Sequence, residues 1–184
     1  MVRKIIVGIS GSSGAVLGVR VLEALRKAGV ETHLVMTDLG RKVLEDETEY
    51  TSKDVEKLAS KVYKIDDFFA PIASGSFKTD GMIVAPCAMK TLAGIASGYT
   101  DNLLLRAADV MLKERRKLVL LAREMPLNYI HIRNMKTVTK AGAVVIPPML
   151  TFYSKPKTIE DMIMHVVGKA LDQFDIDVKY KRWA

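Results

Sequence analysis

The chemistry this chain could perform is concentrated in a few short stretches that combine glycine, hydroxyl and charged side chains. The first is Lys4-Ile5-Ile6-Val7-Gly8-Ile9-Ser10-Gly11-Ser12-Ser13-Gly14, an apolar run that breaks into glycines and serines. Glycines at 8, 11 and 14 let backbone N–H groups approach a ligand, and Ser10, Ser12 and Ser13 add hydroxyl donors. The stretch therefore reads as a buried strand feeding a phosphate-holding turn at the start of a helix. Its spacing is neither the dinucleotide fingerprint nor a P-loop, which would carry a lysine, so a tight strand-to-helix turn without a ligand stays open.

Thr37 follows a second alternating strand, where its hydroxyl suits a phosphate or a ribityl chain or else caps the helix from Asp38. Asp38 could take a ribose diol there. Cys87-Ala88-Met89-Lys90-Thr91 is another strand end meeting a helix start. Arg106 and Lys113 are seven residues apart on a long amphipathic helix and share one face. Arg123-Glu124 ends a further strand, as a site pair or a surface ion pair. Glu49 could reach a site across a subunit boundary, although a surface carboxylate is the plainer reading.

These stretches need elements to position them. Apolar runs at 4–9, 30–37, 80–86, 117–122 and 142–148 read as five strands. Helical patterns fall near 15–25, 38–44, 45–64 with Ser52 as a cap, 92–97, 102–116 capped by Asp101, the segment up to about 140, and 158–174. The alternation gives an α/β protein with a doubly wound parallel sheet of Rossmann-like or flavodoxin-like type, in three α/β/α layers. Ligands of such folds sit beyond the strands' carboxyl ends, where every stretch named above falls.

The 184 residues, 49% apolar and 27% charged, fit one domain spanning 1–184. No run approaches a membrane span, which leads us to expect a cytoplasmic protein without a membrane partner. A single cysteine, Cys87, excludes an intrachain disulfide, and three scattered histidines argue against a metal. The net charge of +7 is dispersed among acidic residues, so nucleic acid is not expected.

Taken together, the motifs resemble the UbiX-type flavin prenyltransferases, within the wider family of homo-oligomeric flavin-containing decarboxylase-like proteins. The likeness covers nearly the full length. It rests on Gly11-Ser12-Ser13-Gly14, Ala73-Ser74-Gly75-Ser76, Pro86-Cys87-Ala88-Met89-Lys90-Thr91-Leu92, Arg106-Ala107-Ala108-Asp109-Val110, Leu112-Lys113-Glu114-Arg115-Arg116, Arg123-Glu124-Met125-Pro126 and Phe152-Tyr153. The chain departs from the usual family pattern at Ser12, where alanine is usual, and at Ala88, where serine is usual.

The resemblance implies a metal-independent transferase that joins a dimethylallyl group, from dimethylallyl phosphate, to N5 and C6 of reduced FMN. FMN is then a substrate, the prenylated FMN serves UbiD-type decarboxylases, and the assembly is a homododecamer. Carried over residue by residue, the resemblance gives Gly11, Ser12, Ser13, Thr37, Ala88, Met89, Lys90, Thr91, Arg106 and Arg123 to FMN. It gives Tyr153, Lys169, Lys113 and Arg106 to the donor phosphate, and Glu124, Lys113, Ser13 and Glu49 to catalysis. Cations there would stabilise the departing phosphate, and Glu124 is the candidate acid or base.

Two alternatives differ in what they require. A flavin-dependent cysteine decarboxylase of the same fold carries a histidine before the third major strand and an asparagine in Pro-Ala-Ser-Ala-Asn. Here no histidine lies between Val62 and Asp80, and the motif reads Pro86-Cys87-Ala88-Met89-Lys90. A non-catalytic FMN-binding protein would not need a second cluster of cations and a tyrosine.

Overall fold

The computed structural model describes residues 3–183. Six strands form one sheet in the order β3-β2-β1-β4-β5-β6, all parallel. They are β1 (Lys4–Ile9), β2 (Glu31–Met36), β3 (Lys61–Tyr63), β4 (Gly81–Cys87), β5 (Lys117–Ala122) and β6 (Val144–Val145). The helices are α1 (Val16–Lys27), α2 (Asp38–Glu47), α3 (Ser52–Glu56), α4 (Met89–Ser97), α5 (Leu103–Lys113), α6 (Tyr129–Lys140) and α7 (Ile159–Asp172). The expected doubly wound, three-layer arrangement is present, with the strand order of a Rossmann-type sheet.

The period-two alternation of the strands divides the core between the two faces. Ile5, Val7 and Ile9 of β1, Ile83 and Ala85 of β4, and Val119 and Leu121 of β5 pack with α1, α2, α3 and α7. Ile6, Met82, Val84, Leu118 and Leu120 point the other way, to Leu103, Leu104, Ala107 and Val110 of α5, Leu92 and Ile95 of α4, and Val138 of α6. Both faces are covered, which is why these strands read as near-continuous apolar runs. Gly8 belongs to this packing rather than to a ligand: a Cβ there would come within 3.1 Å of the Leu104 side chain.

Several local expectations are corrected. The stretch 45–64 is not helical throughout, because Lys61–Tyr63 is an edge strand paired with His33–Val35. Three residues are too few to show alternation, and an exposed lysine suits a sheet edge. Thr51, not Ser52, caps α3: its side chain accepts from Asp54 N while Asp54 reaches back to the Thr51 backbone. Asn102, not Asp101, caps α5 by accepting from Leu105 N at 3.0 Å. The strand expected over 142–148 shrinks to Val144–Val145, since Pro147 and Pro148 have no N–H for the ladder.

Candidate functional site

Strand order reverses between β1 and β4, and the carboxyl ends of these strands are pinned together by Ser10. Its buried hydroxyl donates to Pro86 O at 2.9 Å and accepts from Ala88 N at 2.8 Å. This opens a crevice between the turn after β1 and the start of α4, where ligands of such sheets bind. Gly14 has φ +94°, a conformation that L side chains rarely adopt, so the turn can swing its N–H groups round to the head of α1.

The Gly14 and Ala15 N–H groups already have a partner, one that the sequence did not disclose. Glu47, the last residue of α2, accepts from Gly14 N at 2.8 Å and from Ala15 N at 3.3 Å. Burial pushes the Glu47 carboxyl up, but hydrogen bonds from Ser13, Gly14 and Ala15 and the Arg123 charge outweigh it and hold the group below its ordinary value. Glu49, singled out from the sequence, is exposed, and no hydrogen bond joins it to this turn. Within one chain the carboxylate at this turn is that of Glu47. Ser12 Oγ, by contrast, is buried with no hydrogen-bond partner among the described residues.

A cleft of about 360 Å³ extends from this turn, lined by Gly11, Thr37, Leu39, Ala88, Lys90 and Thr91 among others. Thr37 Oγ1 caps α2 by accepting from Gly40 N at 2.9 Å, and the same hydroxyl still has a proton to give. Ala88 sits at the N-cap of α4 with no side-chain cap bond, so the first N–H groups of α4 lack the partner that a serine would supply. Met89 is half-buried beside it. Cys87 is fully buried and its thiol is pushed up to about 12 by burial, which leaves it a packing residue rather than a nucleophile.

Arg106 and Lys113 share a face as their spacing requires. Together with Ala73-Ser74-Gly75-Ser76, Lys78 and Glu114 they line a second hollow of about 400 Å³. Both cations have partners: Arg106 donates to Asp109 at 2.8 Å and to Ala73 O at 3.1 Å, and Lys113 pairs with Glu114. Lys113 holds the Glu114 carboxyl below its usual range.

Arg123 follows β5, its N–H donating to Cys87 O at 3.1 Å, which sets its backbone against the crevice. Glu124 is exposed and accepts from Met125 N at 3.1 Å. Tyr153 lies on the loop before α7, its hydroxyl 3.2 Å from His165 Nε2. Lys169 is exposed one turn beyond His165 on α7. A larger cleft of about 600 Å³ lies between α1, α7 and the tail; Arg20 there is ion-paired to Glu160 at 2.8 Å, and none of the residues singled out from the sequence lines it.

Among the described residues no cluster of His, Cys, Asp and Glu is placed to hold a metal ion, and no helix is long and apolar enough to cross a membrane. The Flavoprotein family model matches residues 2–171. Flavin prenyltransferase UbiX of Thauera aromatica is 53% identical over 181 residues, 98% of this chain and 93% of that protein. The crystal structure of AnUbiX (PadA1) in complex with FMN and dimethylallyl pyrophosphate superposes with a TM-score of 0.99 at 54% identity, covering 100% of this chain and 98% of that one. A dodecameric FMN-dependent UbiX-like decarboxylase from Escherichia coli O157:H7 superposes at 0.97 with 52% identity, over 98% and 99%. This chain belongs to the Flavoprotein family, among the UbiX-like flavin prenyltransferases.

Proposed function

We propose that this chain is a flavin prenyltransferase that joins the dimethylallyl group of dimethylallyl phosphate to N5 and C6 of reduced FMN. The observation that carries the reading is near-complete superposition, at 54% identity, on a protein crystallised with FMN and a dimethylallyl donor. Anaerobic incubation with both substrates, followed by the mass of the flavin, tests it.

The residues present fit FMN. A Thr37 hydroxyl with a free proton and the uncapped start of α4 border one mononucleotide-sized cleft, and the turn that lends it Gly11 holds next in sequence the buried, unpartnered Ser12 hydroxyl. Reduced FMN would supply an electron-rich N5 and dimethylallyl phosphate the C5 group and the departing phosphate; the chain's residues bind and orient both. Gly11, Ser12, Ser13, Thr37, Ala88, Met89, Lys90, Thr91 and Arg123 hold the flavin and its phosphate through backbone N–H groups, hydroxyls and the guanidinium. Tyr153 and Lys169 hold the donor's phosphate, and Arg106 and Lys113 stabilise the charge that grows on it as its C–O bond breaks. Glu124 moves protons during ring closure, Ser13 orients the reacting edge of the flavin, Glu47 is the carboxylate that addresses Ser13 within the chain, and Glu49 is the one offered across a subunit boundary.

The chain acts as one flavin-binding domain, in the cytoplasm, within a homododecamer. The exposed apolar side chains Tyr129, Ile130 and Ile132 of α6 and Met149, Leu150 and Phe152 of the following loop suit burial between subunits. A UbiD-type decarboxylase receives the product.

A further inference from the structure

His165 sits in the middle of α7, 6% exposed, and nothing in the reaction outlined above uses it. Its neighbours along the helix, Val166, Val167, Ala170 and Leu171, are apolar and buried. An apolar ring would satisfy such a position. Instead the chain buries an imidazole whose Nδ1 has no hydrogen-bond partner among the described residues and whose Nε2 meets one group, the Tyr153 hydroxyl, at 3.2 Å. Leaving a buried polar atom unpaired is unfavourable, so the single bond that His165 does make calls for a reason.

The surroundings hold that bond in one geometry. The imidazole packs edge-on against Tyr153 and Tyr180, with centroids 5.4 Å away in each case, and Trp183 closes on Tyr153 at the same distance. Tyr180 is itself fixed by its hydrogen bond to Asp172. The phenol of Tyr153 is thus located by rings on either side and by one nitrogen.

A phenol has one proton to give and accepts at its oxygen. If Tyr153 donated to the imidazole, it would have nothing left for an anion. If His165 donates from Nε2, the phenol oxygen is satisfied and its proton is free, while Nδ1 keeps an unpaired lone pair instead of an unpaired N–H. We propose that His165 is a positioning residue for the donor site: as the Nε2–H tautomer it donates to the Tyr153 oxygen, directing the phenolic proton toward the phosphate of the allylic substrate. The inference rests on the prenyltransferase reading, which assigns Tyr153 to that phosphate. Lys169 lies four residues on, so the helical face that orients the phenol also carries the ammonium assigned to the same anion.

The test compares His165→Phe, His165→Asn and His165→Gln in the wild-type and Tyr153→Phe backgrounds. It measures KM and kcat for dimethylallyl phosphate, calorimetric binding of that phosphate to FMN-loaded protein, and FMN affinity. Phe and Asn should weaken phosphate binding about five- to tenfold with FMN affinity unchanged, the loss of one hydrogen bond. Gln, whose amide N–H reaches the place of Nε2, should restore binding to within about twofold. In the Tyr153→Phe background none of the three should matter. An equal loss in that background, or unaltered phosphate binding in His165→Phe, overturns the proposal; if the Phe variant does not fold, equal binding by Asn and Gln does so. Wild-type protein that binds the phosphate but makes no prenylated flavin contradicts the prenyltransferase reading instead, and the binding comparison still decides the role of His165.

Discussion

Glu47 Oε2 accepts the Gly14 N–H at 2.8 Å, so the last residue of α2 closes the turn that starts α1. The helix has no cap of its own, since Ala15 at its N-cap makes no side-chain bond. A carboxylate brought from α2 therefore does what a local serine or aspartate does elsewhere, and it places a negative charge at the positive end of α1.

Replacing Glu47 with Ala should lower stability at neutral pH by about 1 kcal/mol, the usual cost of a lost cap. The folded-state carboxyl lies below its ordinary value, so its contribution is full above the unfolded value and is lost as pH falls through the folded one. Thermal melts of wild type and Glu47→Ala should accordingly differ at pH 7 and converge in acid. A difference that grows on acidification contradicts the assignment.

The cleft beside Thr37 should select a mononucleotide. Fluorescence titration is expected to show tight binding of FMN and much weaker binding of FAD or NAD. Thr37→Val should weaken FMN and also destabilise the protein by about 1 kcal/mol through the lost cap of α2, whereas Thr37→Ser should do neither. Comparable affinity for FAD sinks the cleft assignment.

Lys113 should serve the second substrate alone. Lys113→Ala is expected to lower kcat/KM for prenyl transfer about a hundredfold, the scale of losing one preorganised group that stabilises developing charge, with FMN affinity unchanged. The paired measurement of flavin titration and turnover checks it, and so does Tyr153→Phe. Normal turnover in both variants would mean that the donor phosphate sits elsewhere.

Much of this was legible in the sequence because buried parallel strands announce themselves. The bounds of β1 and β5 coincide with their apolar runs, and the glycine–serine turn lies where strand and helix patterns meet. What escaped was what depends on tertiary geometry. The edge strand Lys61–Tyr63 is defined by its partner β2 and not by its own alternation. Asp101 and Asn102 are both good caps by type, and only the backbone placement of Asn102 over Leu105 N decides between them. Glu47 is one of several acids between 45 and 49, and only the length of α2 decides which of them reaches the turn. His165 looks from the sequence like one more position on an amphipathic helix; its bond to Tyr153 spans a loop.

The most direct measurement is the mass of the flavin after anaerobic incubation of the protein with reduced FMN and dimethylallyl phosphate, with a chelator present. The cations of this chain, rather than a divalent ion, are assigned to the departing phosphate, so chelation should leave the yield intact. The account predicts a flavin heavier by one C5 unit, formed from reduced but not oxidised FMN. Recovery of unchanged FMN from the complete reduced mixture would contradict it.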